Sequence, residues 1–265
     1  MLQYQKIGTG PVTVLIHGFG EDGNIWQQQV QHLQTSYQFI VPDLRGSGTS
    51  AQLSPASSIE QMTEDVIEVL QHENIDHCTI IGHSMGGYVA LALAEKYPSY
   101  VTGIGLVHST SYADSEEKKQ ARTKSIEFIE QNTAAEFIKA TIPNLFGDAF
   151  KKNHPNKVNA LIESGQNFTK EHLIAYYRAM IARPDRTHVI EHAKVPVLYF
   201  IGSEDKAVNP ADALQQAGLP AVCCVELIEG IAHMGMLEAP AALNKTLENF
   251  LQLVQQNNVA SALMN

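Results

Sequence analysis

The alternation of short apolar runs with longer helical patterns predicts an α/β protein built on a mostly parallel, doubly wound sheet. Most of these runs are continuous rather than alternating in polarity. Continuous apolar runs are typical of strands that are buried on both faces of a parallel sheet. Six runs are predicted as strands: Val12–His17, Phe39–Pro42, Cys78–Gly82, Gly103–His108, Val195–Gly202 and Cys223–Ile228.

Helical patterns fill most of the intervals between these strands. Ile59–His72 is preceded by Ser58, with the spacing of a capping box, and its apolar residues fall on one face. Tyr88–Tyr97 is apolar on nearly all sides, which predicts a buried helix. The last two predicted helices begin at Asn209-Pro210 and span Ala239–Val254.

Residues 112–186 depart from this alternation. They contain no convincing strand, but they offer helix starts at Thr133, Pro155 and Thr169. They also carry 12 Lys/Arg against 10 Asp/Glu, whereas the rest of the chain carries 6 against 18. We interpret them as a helical cap inserted into a core formed by residues 1–111 and 187–265.

Composition excludes several classes of function. The 265 residues are 44% hydrophobic and 17% charged, which is typical of a globular protein with a sizeable core. A net charge of −10 argues against a nucleic-acid partner. The three cysteines show neither a disulfide framework nor zinc spacing, and no metal or organic cofactor is predicted. With no signal peptide and no apolar stretch of membrane-spanning length, we expect a cytoplasmic protein without a membrane partner.

The strongest motif is Gly82-His83-Ser84-Met85-Gly86, which follows an apolar strand and opens an apolar helix. A serine at such a turn sits in strained backbone and projects its hydroxyl from the carboxyl edge of the sheet. The start of the following helix favours developing negative charge there. This setting predicts Ser84 as a nucleophile.

An oxyanion formed by attack on a carbonyl needs backbone N–H donors that are already in place. One predicted donor is the amide of Met85, which follows the nucleophile. The other is the amide of Phe19, in the loop His17-Gly18-Phe19-Gly20 after an earlier strand. Because Gly18 lets this loop approach a ligand closely, it is a candidate for the substrate pocket.

A serine needs a base to take its proton, and histidine is the usual one. His233 is predicted as that base, because it lies in a glycine-bounded loop after the last predicted strand. The acid that orients it should follow the preceding strand, where Asp205 is the first choice and Glu204 the alternative. His108 ends a central strand, and two roles stay open: it faces the substrate pocket, or it only satisfies a loop.

Taken together, five segments resemble the α/β-hydrolase superfamily in type and order, roughly from Gly10 to Val254: His17–Gly20, Pro42–Ser50, Gly82–Gly87, Gly202–Asp205 and Ala232-His233. The resemblance implies an eight-stranded, mostly parallel sheet with a helical cap over the active site. It also implies that Asp43 and Arg45 brace loops near the pocket. Serine rather than aspartate at position 84 argues against haloalkane dehalogenases and epoxide hydrolases.

These observations predict a serine hydrolase that cleaves a small ester through an acyl-enzyme. The same residues would serve C–C bond hydrolysis, perhydrolysis or acyl transfer. A third alternative is a slow-turnover ligand sensor that signals to a protein partner. Four cations of the cap either favour an anionic substrate or form a solvated surface: Arg122, Lys124, Arg178 and Arg183.

Overall fold

The computed structural model describes residues 1–264, with side chains as far as Asn258; Asn265, at the end of the predicted core, lies outside the described residues. The described strands are β1 (Tyr4–Gly8), β2 (Val12–Ile16), β3 (Gln38–Pro42), β4 (Cys78–His83), β5 (Val101–Val107), β6 (Val197–Gly202) and β7 (Cys223–Ile228). They form one sheet in the order β1-β3-β2-β4-β5-β6-β7, in which only β1 runs antiparallel to its neighbour.

The predicted fold class is confirmed, with one strand fewer than the eight that the resemblance implies among the described residues. All six predicted strands are present, with ends shifted by at most two residues. β1 was not predicted because its sequence, YQKIG, contains no continuous apolar run and is only partly buried. It lies at the edge of the sheet, where such a strand needs no continuous apolar run.

Helices connect the strands on both sides of the helical insertion. The described helices outside the insertion are α1 (Gln27–Leu33), α2 (Ile59–His72), α3 (Met85–Lys96), α9 (Thr187–Glu191), α10 (Pro210–Ala217), α11 (Gly235–Glu238) and α12 (Pro240–Met264). The predicted bounds of α2 are confirmed, and the Ser58 hydroxyl caps it by accepting from the Gln61 amide. α12 continues ten residues beyond Val254, where the apolar pattern of the sequence had ended.

Residues 112–186, called the helical segment below, contain α4 (Glu116–Gln131), α5 (Ala134–Thr141), α6 (Asp148–Asn153), α7 (Pro155–Gly165) and α8 (Lys170–Ala182). The three predicted starts are confirmed. Thr133 forms a capping box with Glu136, Pro155 is the first residue of its helix, and Thr169 caps the next helix through its hydroxyl. Among the described residues, no strand interrupts this segment.

The turn after β3 braces neighbouring loops, as the resemblance implies. Asp43 accepts hydrogen bonds from the amides of Gly23 and Thr49. Arg45 forms a two-pronged ion pair with Asp65 on α2, with N···O distances of 2.7 and 2.6 Å. None of the described helices is long and apolar enough to cross a membrane.

The packing of α12 on the sheet offers a test of the core. Phe250 is fully buried and lies against Gly103 of β5, where a β-carbon would come within 3.3 Å of its ring. We expect Phe250→Ala to lower the free energy of unfolding by about 3–5 kcal/mol, because it removes a large apolar side chain and leaves a cavity. Urea denaturation measures the loss. Gln252→Ala, at an exposed position of the same helix, should change stability by less than about 0.5 kcal/mol; equal losses would contradict the assignment.

Candidate active site

Ser84 occupies a strained turn between β4 and α3. Its backbone has φ 50° and ψ −114°, a conformation that non-glycine residues rarely adopt. Two hydrogen bonds hold the turn, one with β5 and one with a residue that follows β5. The Ser84 amide donates to the carbonyl of Val107 at 3.0 Å, and the Ser109 hydroxyl donates to the carbonyl of Ser84 at 2.7 Å.

Glycines around the serine make this turn sterically feasible. A β-carbon on Gly82 would lie 2.2 Å from the backbone of Gly86, and one on Gly86 would lie 2.4 Å from the carbonyl oxygen of Ile16. A β-carbon on Gly87 would meet the Ser109 hydroxyl at 2.2 Å. Only residues without a side chain allow strand, turn and helix to approach this closely.

Ser84 opens onto a cavity of about 460 Å³ between the carboxyl edge of the sheet and the helical segment. Phe19 and His233 line the same cavity, so the structure brings together three of the predicted site residues. The opposite wall comes from the helical segment: Lys118, Ala121, Arg122, Ile138, Thr141, Ile142, Leu145, Tyr177 and Met180. A cavity of this size fits a small organic ligand.

Asp205, rather than Glu204, contacts His233. Oδ2 of Asp205 lies 2.8 Å from Nδ1 of His233, while Oδ1 accepts the amides of Ala207 and Val208 at 2.8 and 2.9 Å. Burial would raise the pKa of this carboxyl, but the electrostatic interaction with His233 and hydrogen bonds from two histidines hold it far below its usual range. Glu204 is exposed and makes no described contact with His233.

His108 lies outside the cavity lining, and its fully buried side chain contacts Asp205. Nε2 of His108 accepts the amide of Gly235 at 3.1 Å, so Nδ1 carries the proton and donates to Oδ2 of Asp205 at 3.2 Å. Burial lowers the pKa of His108 to about 4, against the opposing influence of Asp205. His108 is therefore a neutral second donor to this carboxylate.

Gly18 also lies outside the cavity lining. It is buried, and a β-carbon there would come within 2.8 Å of Nδ1 of His83, so glycine leaves room for that ring. Its amide donates to Oε2 of Glu21 at 3.1 Å. The amides of Phe19 and Met85, by contrast, have no protein acceptor among the described contacts.

Glu21 and His83 form a buried pair that the sequence analysis missed. Oε2 of Glu21 lies 3.0 Å from Nδ1 of His83, and Nε2 of His83 faces the carbonyl of His233 at 3.0 Å. Because both ring nitrogens face acceptors, the ring donates twice, as an imidazolium. Burial would lower the pKa of His83 and raise that of Glu21, but their mutual attraction raises the first and lowers the second.

The loop that carries His233 is fastened to the helical segment. Oε1 of Glu238 accepts the amides of Ala232 and Met234 at 3.2 and 3.0 Å, and Oε2 accepts the amide of Gly147 at 2.9 Å. The amide of His233 donates to the carbonyl of Leu145 at 2.9 Å. Nothing in the sequence around Glu238 signals this role, because all of its acceptor contacts are to backbone.

His108, Asp205 and His233 place three potential metal-ligating atoms within 4.8 Å of one another. Two hydrogen bonds account for this cluster, since both Nδ1 atoms donate to the same carboxylate oxygen. The arrangement therefore fits a hydrogen-bonded histidine pair around one acid.

Comparisons with known proteins agree with this fold. A family model described as the α/β-hydrolase fold matches residues 11–240. The chain is 26% identical to 3-oxoadipate enol-lactonase 1 of Acinetobacter baylyi, over 92% of this chain and 90% of that protein. It is 28% identical to a thermophilic esterase from Thermogutta terrifontis solved with malate bound, with a TM-score of 0.90 and coverage of 96% and 93%. It is also 25% identical to the enol-lactonase from Burkholderia xenovorans LB400, with a TM-score of 0.86 and coverage of 95% of this chain and 96% of that one.

The neutral state of His108 predicts a pH dependence of stability. A histidine in the unfolded chain has a pKa near 6.5, and that of folded His108 is about 4. Between these values the unfolded chain binds more protons, so the stability linked to His108 is fully present above pH 6.5 and is lost as the pH falls toward 4. From pH 7 to 4.5, His108→Asn should lose about 2 kcal/mol less stability than the unaltered protein.

Urea denaturation at the two pH values measures this difference. His32→Asn, at an exposed histidine, is the matched control and should follow the unaltered protein. Parallel losses in His108→Asn and the unaltered protein would contradict a neutral, buried His108.

The Glu21–His83 pair predicts a coupling in stability. Glu21→Gln leaves a buried imidazolium without its carboxylate, and we expect it to lower the free energy of unfolding by about 3–5 kcal/mol. The double variant Glu21→Gln, His83→Gln should lose less than the sum of the two single losses, because no unpaired charge remains. Urea denaturation near pH 7 measures all four proteins, and additive losses would argue against an ion pair.

Proposed function

The chain belongs to the α/β-hydrolase family, and from this premise we propose that it hydrolyses small esters or lactones through Ser84, His233 and Asp205. The observation that carries the proposal is the shared cavity: a strained serine and an acid-bound histidine line it together. The relatives named as an esterase and as enol-lactonases support this substrate class.

In the first half of the proposed reaction, Ser84 Oγ attacks the carbonyl carbon of the substrate while His233 takes the hydroxyl proton. Asp205 accepts Nδ1–H of the same ring, which holds Nε2 toward the serine and stabilises the imidazolium that forms. The negative charge on the former carbonyl oxygen is stabilised by the uncommitted amides of Phe19 and Met85. Each such donor is worth about 3 kcal/mol in the transition state.

The imidazolium then gives its proton to the leaving oxygen, and the carbon–oxygen bond of the ester breaks. A water molecule, deprotonated by His233, attacks the acyl-enzyme and releases the acid and free Ser84. For a lactone the leaving alcohol remains attached to the acyl chain, so hydrolysis gives a single hydroxy acid.

We propose the helical segment as the cap of this site. Its residues form one wall of the cavity, and its loop is tied to the His233 loop through Leu145 and Gly147. A wall of this kind limits the length of the acyl group and excludes bulk water from the acyl-enzyme. His108, Glu21 and His83 contact the reacting residues or their loops and act as positioning residues.

Hydrolysis of p-nitrophenyl esters from acetate to laurate, together with simple γ- and δ-lactones, tests the proposal. We expect turnover of the short esters or lactones, and at least a tenfold lower kcat/KM for laurate, because the wall formed by the helical segment limits the length of the acyl group. Ser84→Ala should lower kcat by about 10⁴-fold or more.

Ser99→Ala is the matched control, because Ser99 is exposed and precedes β5 at the amino edge of the sheet, opposite the site. It should leave kcat unchanged. Turnover that survives in Ser84→Ala would reject the serine mechanism. Absence of turnover in the unaltered protein would favour C–C bond hydrolysis, perhydrolysis, acyl transfer or ligand sensing.

A further inference from the structure

Two arginines of the helical segment share one carboxylate beside the cavity. Nε of Arg122 donates to Oδ2 of Asp114 at 2.6 Å, and Nη1 of Arg183 lies 2.9 Å from Oδ1 of the same residue. The Asp114 side chain is fully buried, and those of Arg122 and Arg183 are 13% and 3% exposed. The cluster therefore holds one positive charge in excess, largely removed from water, and such a charge is costly unless an anion compensates it.

The two arginines differ in how far their donors are used. Arg183 also donates to the carbonyls of Met180 and Tyr112 and stacks 3.8 Å from the centre of the Tyr88 ring. Arg122 has hydrogen bonds from Nε and Nη2 only, both to Asp114, so its Nη1 group has no acceptor among the described contacts. Arg122 lines the same cavity as Ser84, and Arg183 does not.

The excess of positive charge affects the pKa of the Tyr88 phenol. Burial alone would raise the pKa of Tyr88, but the charges of Arg183, Arg122 and Lys118 lower it below its usual value. Tyr88 lines the cavity with Arg122 and Lys118, so the positive charge acts on the cavity itself.

The acidic residues of the cavity do not cancel this charge. Glu21 is already paired with the imidazolium of His83. Asp212 is exposed, in the first turn of α10, and Lys206 of the preceding loop lines the cavity and is exposed as well. The other two cations that the sequence singled out lie outside the cavity lining: Lys124 is exposed, and Arg178 is 68% exposed and pairs with Glu130.

We propose that Arg122 forms an anion-binding subsite in the cavity and that the preferred substrates are esters or lactones that carry a carboxylate. This substrate class rests on the proposed hydrolase function. A guanidinium with a free amino group binds a carboxylate oxygen by a charge-assisted hydrogen bond. The free donors of Arg122 belong to one amino group, which suits a carboxylate oxygen better than the several oxygens of a doubly charged phosphate.

The first test compares the mono-p-nitrophenyl ester of glutaric acid with its neutral methyl ester, after subtraction of the rate measured with Ser84→Ala. We expect kcat/KM to favour the anionic ester by about 10- to 100-fold, as a charge-assisted hydrogen bond provides. Arg122→Gln should bring that ratio close to one. Arg122→Lys should retain part of it, because the charge remains without the second amino group. Arg178→Gln, which removes an exposed cation of the same helical segment, should keep the full ratio.

A second test needs no turnover: titration of monomethyl glutarate, dimethyl glutarate and inorganic phosphate into Ser84→Ala by calorimetry, in low salt and in 0.5 M NaCl. We expect monomethyl glutarate, which carries one carboxylate, to bind more tightly than the neutral diester or phosphate. If the unaltered protein hydrolyses neither p-nitrophenyl ester but Ser84→Ala binds monomethyl glutarate, the subsite stands and the hydrolase proposal fails. If the neutral p-nitrophenyl ester is hydrolysed as well as the anionic one, or monomethyl glutarate binds no better than dimethyl glutarate, the subsite is overturned and the hydrolase proposal stands. Tighter binding of phosphate would overturn the carboxylate assignment.

Discussion

The backbone strain at Ser84 is the constraint on which the site depends. A residue with φ 50° and a side chain persists only where its surroundings over-determine it. Here β4 enters the turn, α3 leaves it, and the hydrogen bonds to Val107 and from Ser109 fix its two peptide groups. The same turn leaves the Met85 amide, at the start of a buried helix, without an acceptor in the described part of the chain. One strained residue thereby places a hydroxyl and a donor at the same edge of the sheet.

Two buried histidines flank His233, and they differ in charge: His83 is an imidazolium and His108 is neutral. The ring centroids of His83 and His108 lie 4.9 and 5.6 Å from that of His233. His83 faces two acceptors, Glu21 and a carbonyl, which raises its pKa, whereas His108 faces one acceptor and one donor, and burial lowers its pKa. The difference follows from hydrogen-bond partners rather than from depth, since both rings are fully buried.

The sequence predicts those features that are written in local patterns. Buried parallel strands, the capped start of α2, the glycine-flanked serine and the order of Ser84, Asp205 and His233 along the chain all leave a signal within a few residues. β1 leaves none because it is half-exposed. The sequence also gives no signal for the roles of Glu21, His83 and Glu238. Their partners lie 62, 150 and 91 residues away along the chain, and many of these partners are backbone atoms. The role of His108 stays open in the sequence for the same reason: the end of a strand predicts an edge position, but not the side on which the ring lies.

The charged groups around the cavity are only partly neutralised by one another. The charges of Glu21 and His83 cancel each other, and Asp205 accepts N–H hydrogen bonds from His108 and His233. Asp114 is different, because its one negative charge pairs with two guanidinium groups. Arg183 donates its other hydrogen bonds to carbonyl oxygens. Carbonyl oxygens satisfy hydrogen bonds without neutralising charge. The helical segment therefore satisfies most of the donors in this cluster but leaves its charge uncompensated. Within the described structure, the amino group that has no acceptor belongs to Arg122, which faces the cavity.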